Sequence, residues 1–358
     1  LFWIYRASTP KFTAMRKADN DKLFVNNFIP KVSRTFALAI QFLPPRLRHS
    51  VFTAYLLCRV ADTIEDSPAI GGPEKRARLI RLRDMLGEAA NGGALRPDDV
   101  SLLYESIDSN SDHDHRLLSQ SGQLFEVLGR LPESQRIIIY RWAGEMVRGM
   151  AEFTKLPKTD DGISALKDQA EWDRYCYYVA GTVGHMLTEL IIGEYEIADD
   201  KAERLLELCN SFGLGLQKVN TIKDVPSDRE RGIIFLPRDI MGRHGLTPES
   251  LSQSRFKDSI EAFVEELVSI AWNHLDDAIE YTTLVPSHLK GVRMFLTVPV
   301  FLAAATLKEI VAHPVQAMTG PPVKIGRRDV ARQTSAAALH SSSNTRLVKY
   351  YQRLRNHP

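Results

Sequence analysis

Apolar residues recur at helical spacing through 46–66, 76–90, 116–130, 133–153, 165–192, 200–224, 255–283 and 289–312, while alternating runs of strand character are nearly absent. That periodicity predicts an all-α fold. Breaks fall at Pro44-Pro45, Gly71-Gly72-Pro73, Asn91-Gly92-Gly93, Leu156-Pro157 and Gly320-Pro321-Pro322, each short enough to join packed helices. No repeat of fixed period is visible. We expect an N-terminal extension over 1–25, one helical domain over 26–315 and a basic C-terminal tail over 316–358. The longest apolar run, Phe295 to Leu307, contains Pro299 and falls short of the roughly 20 residues of a membrane-spanning helix, so it reads as a buried helix.

Two polar stripes interrupt this apolar pattern. In VFTAYLLCRVADTIED (51–66), Tyr55, Arg59, Asp62 and Asp66 follow spacings of four, three and four, which stacks them on one face of a helix buried on its other sides. Asp62 and Asp66 then lie one turn apart, about 6 Å along the axis. Two dehydrated carboxylates at that distance repel, and a hard divalent ion such as Mg²⁺ would relieve them. A single DxxxD on a helix more often marks a solvated face. In FGLGLQKVNTIKDVPSD (212–228), however, Gln217, Asn220, Asp224 and Asp228 repeat the arrangement, with Pro226 placing a kink or a helix end among them. Facing each other across a cavity, the two stripes would suit Mg²⁺ ions and, through them, diphosphates. Between the stripes, WDRYCYYVAGTVGHMLTEL (172–190) sets Tyr175 and Tyr178 beside Ala180, Gly181 and Gly184, small residues that allow close helix contact.

Composition narrows the alternatives. The 358 residues carry 46 basic and 44 acidic side chains, so no overall field favours nucleic acid as a partner. Cys58, Cys176 and Cys209 are scattered in apolar stretches, which fits reduced thiols. Leu1 to Tyr5 are too few for a secretory core, and the chain reads as a cytoplasmic monomer. Residues 321–358 hold eight Lys or Arg against Asp329 alone, a composition of a solvated, loose terminus or of a peripheral contact with an anionic membrane surface. No GxGxxG follows a strand, since GLGLQ (213–217) falls within a helix, so no Rossmann domain is expected. His113 and His115 in SDHDHR read as part of a polar loop.

SRTF (33–36), DTIEDS (62–67), YCYYVAG (175–181) and LQKVNTIKDVPSD (216–228) together resemble the squalene and phytoene synthase family, in order and over about residues 30 to 330. The resemblance implies a class I isoprenoid synthase fold with a central cavity and head-to-head joining of two farnesyl diphosphates. By it, Asp62, Glu65, Asp66, Asp224 and Asp228 would hold Mg²⁺, and Ser33, Arg34 and Arg59 would grip phosphate. Tyr175 takes the place of the family's catalytic tyrosine, with Arg59 and Phe295 beside it. Phe36, Tyr55, Tyr178, Val179, Val183, Gln217, Arg229 and Arg231 would contact substrate, Phe52 and Leu56 adding to the prenyl channel. Two serines, Ser67 and Ser227, stand where the family carries acids.

VKIGRRDV (323–330), after MFLTVP (294–299), resembles a segment of the squalene-forming branch, which also reduces its intermediate with NADPH. Asn220, Lys223, Lys324 and Arg327 would be the NADPH contacts. Phytoene or dehydrosqualene synthesis without reduction is the alternative reaction, and a non-catalytic binding or assembly protein the alternative class.

Overall fold

The computed structural model describes residues 36–93, 97–105, 112–156 and 162–356, together with Phe28 and Ile107. In chain order the elements are α1 (Phe36–Ile40), α2 (Pro45–Asp66), α3 (Gly72–Ala90), α4 (Pro97–Tyr104), α5 (Asp112–Ser119), α6 (Ser121–Gly129), α7 (Glu133–Phe153), β1 (Ser164–Leu166) and α8 (Gln169–Cys176). A π-helical turn, Tyr177–Gly181, leads into α9 (Thr182–Glu194), followed by α10 (Asp199–Lys223), α11 (Val225–Glu230), β2 (Ile233–Pro237) and α12 (Arg238–Arg243). The chain closes with α13 (Lys257–Leu284), α14 (Lys290–Ala312), α15 (Pro314–Thr319), α16 (Arg327–His340) and α17 (Asn344–Asn356).

The helix ends follow local chemistry. Pro45 and Pro73 sit in the first turns of α2 and α3, where a missing N–H costs nothing. Pro226 lies in the first turn of α11, so α10 stops and the chain bends at Asp224, as the sequence leads one to expect. Of the SDHDHR segment, residues 112–116 form the start of α5 rather than a loop, tied down where Asp114 accepts from Arg59 at 3.1 Å.

Helix α10 is the hub, packing on α13, α9, the π turn, α14 and α8. The approach of α10 to the π turn and α9 is set by glycine: a Cβ on Gly213 would lie 2.3 Å from the Ala180 carbonyl oxygen, and one on Gly184 2.2 Å from that of Cys209. The small residues of 180–184 therefore do what their size suggested, with Gly213 as the matching partner. A short parallel pair, absent from the sequence expectation, joins β1 to β2 in the register Ser164↔Ile233 and Ala165↔Ile234. It fixes the segment after α11 against the one before α8.

Helix α14 is long and apolar enough to cross a membrane by composition, yet 83% of its most apolar stretch is buried within the protein, in keeping with the core helix expected there. The basic tail is not loose. The buried Arg293 of α14 donates to the Asn344 side chain at 2.6 Å, and Tyr351 donates to Asp276 at 2.7 Å, with Leu347 and Ala337 buried beneath. Helices α16 and α17 thus form an outer layer on α14, whose other side faces the cavity described next.

Candidate active site

Helices α2 and α10, the π turn and α14 enclose two adjoining compartments. The first, about 260 Å³, is apolar and lined by Phe36, Tyr55, Val179, Val183, Phe212 and Phe295 among others. Phe295 meets Phe36 edge-on at 5.6 Å, and Phe36 lies 5.8 Å from Tyr55, so three rings wall one end. The second, about 290 Å³, is polar and lined by Arg59, Asp62, Glu65, Asp66, Tyr175, Gln217, Asn220, Lys223, Asp224, Asp228 and Arg231, with Thr221 and Phe235. Asp62, Val179, Gln217 and Asn220 belong to both walls. An amphiphile with an anionic head and an apolar chain fits this arrangement.

The polar compartment concentrates negative charge. Burial pushes the Asp62 carboxyl up to about 6; Arg59 opposes the shift, and Asp66 and Asp114 add to it. Asp228, 6% exposed, is likewise pushed up to about 6 by burial, opposed by its bond from Arg231. Glu65 lies well above the usual carboxylate range for the same reason, with Asp66 and Asp62 adding repulsion. Burial beside Glu65, Asp228 and Asp66 holds the Tyr175 phenol protonated, well above its ordinary value. Its ring is clamped between Phe235, stacked at 4.2 Å, and Phe153, edge-on at 5.2 Å. The β1–β2 pair therefore orients Tyr175 by carrying Phe235.

Beneath the second stripe Lys218 is fully buried. Its ammonium pairs with Asp173, sits 3.6 Å from the centre of the Trp172 ring, and so ties α10 to α8, the helix that carries Tyr175. The Trp172 indole donates to Thr221 at 3.0 Å, a second tie between the same helices.

A hard divalent ion suits this donor set, five carboxylates from two sides of one cavity with Asp62, Glu65 and Asp228 at least half-buried. Among the described residues, though, no three acidic, His or Cys side chains converge closely enough to hold an ion as they stand. The gap is bridged by Arg231, which donates to Asp66 and, at 2.5 Å, to Asp228.

Most expected site residues converge here, and some do not. Ser33 and Arg34 lie outside the described residues. Tyr178 lines neither compartment: its hydroxyl accepts from Arg148 at 3.1 Å and its ring fills the space over Gly149. Both tyrosine rings pack edge-on against Phe153, Tyr178 at 6.2 Å, but Tyr178 lies on the side of α7 rather than of the cavity. Arg229 also points elsewhere, donating to the Met318 carbonyl at 2.9 Å. Lys324 and Arg327 are exposed and line neither compartment, whereas Asn220 and Lys223 line the polar one. Phe52 and Leu56 are buried outside the cavity walls. Asp114, Phe235 and Thr221 were not singled out from sequence; only the acidic character of SDHDHR gave any signal for the first.

The all-α fold, its central cavity divided into an apolar and an acid-lined half, is of the isoprenoid synthase kind. The family model for squalene/phytoene synthase matches residues 29–329, and the chain belongs to that family. It is 30% identical to squalene synthase of Rattus norvegicus over 283 residues, 78% of this chain and 61% of the relative, and 29% identical to that of Homo sapiens over 83% and 66%. The chain thus spans about three fifths to two thirds of these curated relatives. Among solved structures, a TcSQS complex superposes with a TM-score of 0.76 at 25% identity, covering 95% of this chain and 93% of that one. A dehydrosqualene synthase shares the fold at 0.65 and 20% identity, over 90% and 96%.

Proposed function

We propose that the protein is a prenyltransferase that joins two farnesyl diphosphates head to head, with the 26–315 region as its catalytic unit. The observation that carries this reading is the shared wall of the two compartments, where Asp62, Val179, Gln217 and Asn220 would meet the junction between diphosphate and prenyl chain. Mg²⁺, when bound by Asp62, Glu65, Asp66, Asp224 and Asp228, would supply the charge neutralisation that diphosphate departure requires. Arg59 and Lys223 add positive charge at the same wall. Phe36, Tyr55 and Phe295 exclude water from the apolar half and offer ring faces to a developing allylic cation. Tyr175, protonated and pinned by Phe235, places its hydroxyl where it can donate to a departing diphosphate oxygen.

Reduction of the joined intermediate to squalene is the favoured outcome, supported by the squalene synthase names of the relatives and by VKIGRRDV. The second reading, release of dehydrosqualene or phytoene without reduction, draws on the exposed positions of Lys324 and Arg327, and no step is assigned to NADPH here. Product analysis with farnesyl diphosphate and Mg²⁺, with and without NADPH, separates them. Squalene only with NADPH supports the first, a conjugated triene in both supports the second, and no diphosphate release from C15 or C20 donors sinks both.

The exposed cations Lys324, Arg327, Arg328, Arg346, Lys349 and Arg353 suit peripheral contact of this face with an anionic membrane, into which a hydrocarbon product would partition. Salt-sensitive co-sedimentation with phosphatidylserine vesicles is the expected result. Equal binding to neutral vesicles would count against it.

A further inference from the structure

The two acidic stripes are held together by a cation that belongs to the chain itself. Arg231 reaches from the end of α11 to Asp66 at the end of α2, a residue 165 positions earlier, while also bonding Asp228 of its own helix. Among the described ion pairs it is the one that joins a carboxylate of the first stripe to one of the second. Its backbone is fixed by a tight turn, in which Arg231 N–H donates to Asp228 at 2.9 Å and Gly232 N–H to Arg229 at 2.8 Å, with Gly232 at φ 75°. The guanidinium, by contrast, stands at the rim of the polar compartment with its side chain one-third exposed. The anchor is thus fixed by the backbone, and the head is held, among the described residues, by the two carboxylates alone. Arg59, the other arginine of the compartment, bonds Asp62 and Asp114 and touches the second stripe nowhere.

We infer that Arg231 is an internal counter-cation of the free protein, one that a divalent ion displaces readily only when a diphosphate is present to receive the guanidinium. This rests on the metal assignment proposed above. A guanidinium satisfies carboxylate and phosphate oxygens with the same planar fork of donors. In the free protein an entering ion must break two charge-assisted hydrogen bonds and leave Arg231 without an anion. A diphosphate offers Arg231 new acceptors, so the loss is recovered only when ion and diphosphate are both bound. Metal and diphosphate then strengthen each other's binding, and the coupling is reciprocal. Arg231 is in this sense a positioning residue: it keeps the stripes at working distance before substrate arrives and leaves the space between them as it arrives.

The test is calorimetric titration of Mn²⁺ into the full chain at buffered free-ion activity, with and without inorganic pyrophosphate, for the unaltered protein, Arg231→Gln and Arg231→Lys. Pyrophosphate is expected to tighten Mn²⁺ binding to the unaltered protein by about ten-fold. Arg231→Gln should bind Mn²⁺ alone about ten-fold more tightly than the unaltered protein and lose most of the pyrophosphate effect. Arg231→Lys, which keeps the charge without the fork, should fall between them and shows that a change in Arg231→Gln is not a folding defect. Equal or weaker Mn²⁺ binding by Arg231→Gln without pyrophosphate, or an unchanged pyrophosphate effect, would overturn the inference and leave the metal site standing. Absence of Mn²⁺ binding in all three proteins under both conditions would overturn the metal assignment along with it.

Discussion

Asp228→Asn is expected to lower diphosphate release from farnesyl diphosphate by about a thousand-fold, the upper range for loss of one preorganised group that stabilises departing charge. The residue is 6% exposed and lines the polar compartment with Asp66, so its charge is felt with little screening by water. Asparagine keeps the shape and can still accept from Arg231, which leaves the fold in place. Thermal melting should therefore shift by only a few degrees while turnover collapses. Asp62→Asn on the facing stripe should behave alike, and the double variant should lose little more, because both would hold the proposed metal. Quantifying released pyrophosphate at saturating substrate checks this. Retention of more than about a tenth of the rate by either variant would contradict the thousand-fold loss expected of a metal ligand.

Gly213→Ala is expected to destabilise the protein by about 3 kcal/mol or more, an overpacking cost at the high end because the obstructing atoms are backbone. The new Cβ would meet the Ala180 carbonyl at 2.3 Å and the Gly181 nitrogen at 2.7 Å, none of which can turn aside as a side chain can. Either α10 retreats or the π turn does, and both carry cavity walls through Gln217 and Val179. Activity should fall together with stability. Gly144→Ala on α7 is the control: nothing lies within 4 Å of its added methyl, and helix propensity predicts a gain of up to about 1 kcal/mol. Urea unfolding of the two variants decides the matter, and a Gly213→Ala protein as stable as the unaltered chain would refute the tight contact.

The helices and both stripes were legible because each depends on a single period. Tyr55, Arg59, Asp62 and Asp66 stand out only against an otherwise apolar α2, and Gln217, Asn220, Asp224 and Asp228 only against the apolar positions of α10 and of α11, which follows it. What could not be read depends on contacts between distant segments or on a departure from the period. Three residues at Ser164–Leu166 give no signal of a strand until Ile233 and Ile234 arrive beside them. Asp114 becomes part of the site only because α5 packs on α2 and brings it to Arg59. Arg231 read as a phosphate ligand from its neighbourhood, whereas its partners in the free protein are the carboxylates themselves. The tail's charge suggested a loose end, yet Leu347 and Tyr351, spaced by four, supply a buried seam that charge counting overlooks.

The π turn has a further consequence for the rod formed by α8 and α9. At Tyr177–Gly181 the Thr182 N–H reaches back five residues to the Tyr177 carbonyl, and the Thr182 hydroxyl satisfies the Tyr178 carbonyl at 2.7 Å, so the irregularity is fully bonded. Such a turn accommodates one more residue than an α-helical turn, which advances the angular phase of everything beyond it by about 100°. Tyr175, before the joint, faces the ionic half; Val183 and Leu187, after it, face the apolar half; Val179, within it, touches both. Spaced by four, these residues form one continuous line, and the two compartments follow each other along the rod's axis. Loss or gain of a single residue there would rotate one compartment's wall against the other's and disturb the close contact with Gly213 of α10, making this joint the place where chain-length changes in the sequence translate most directly into cavity shape.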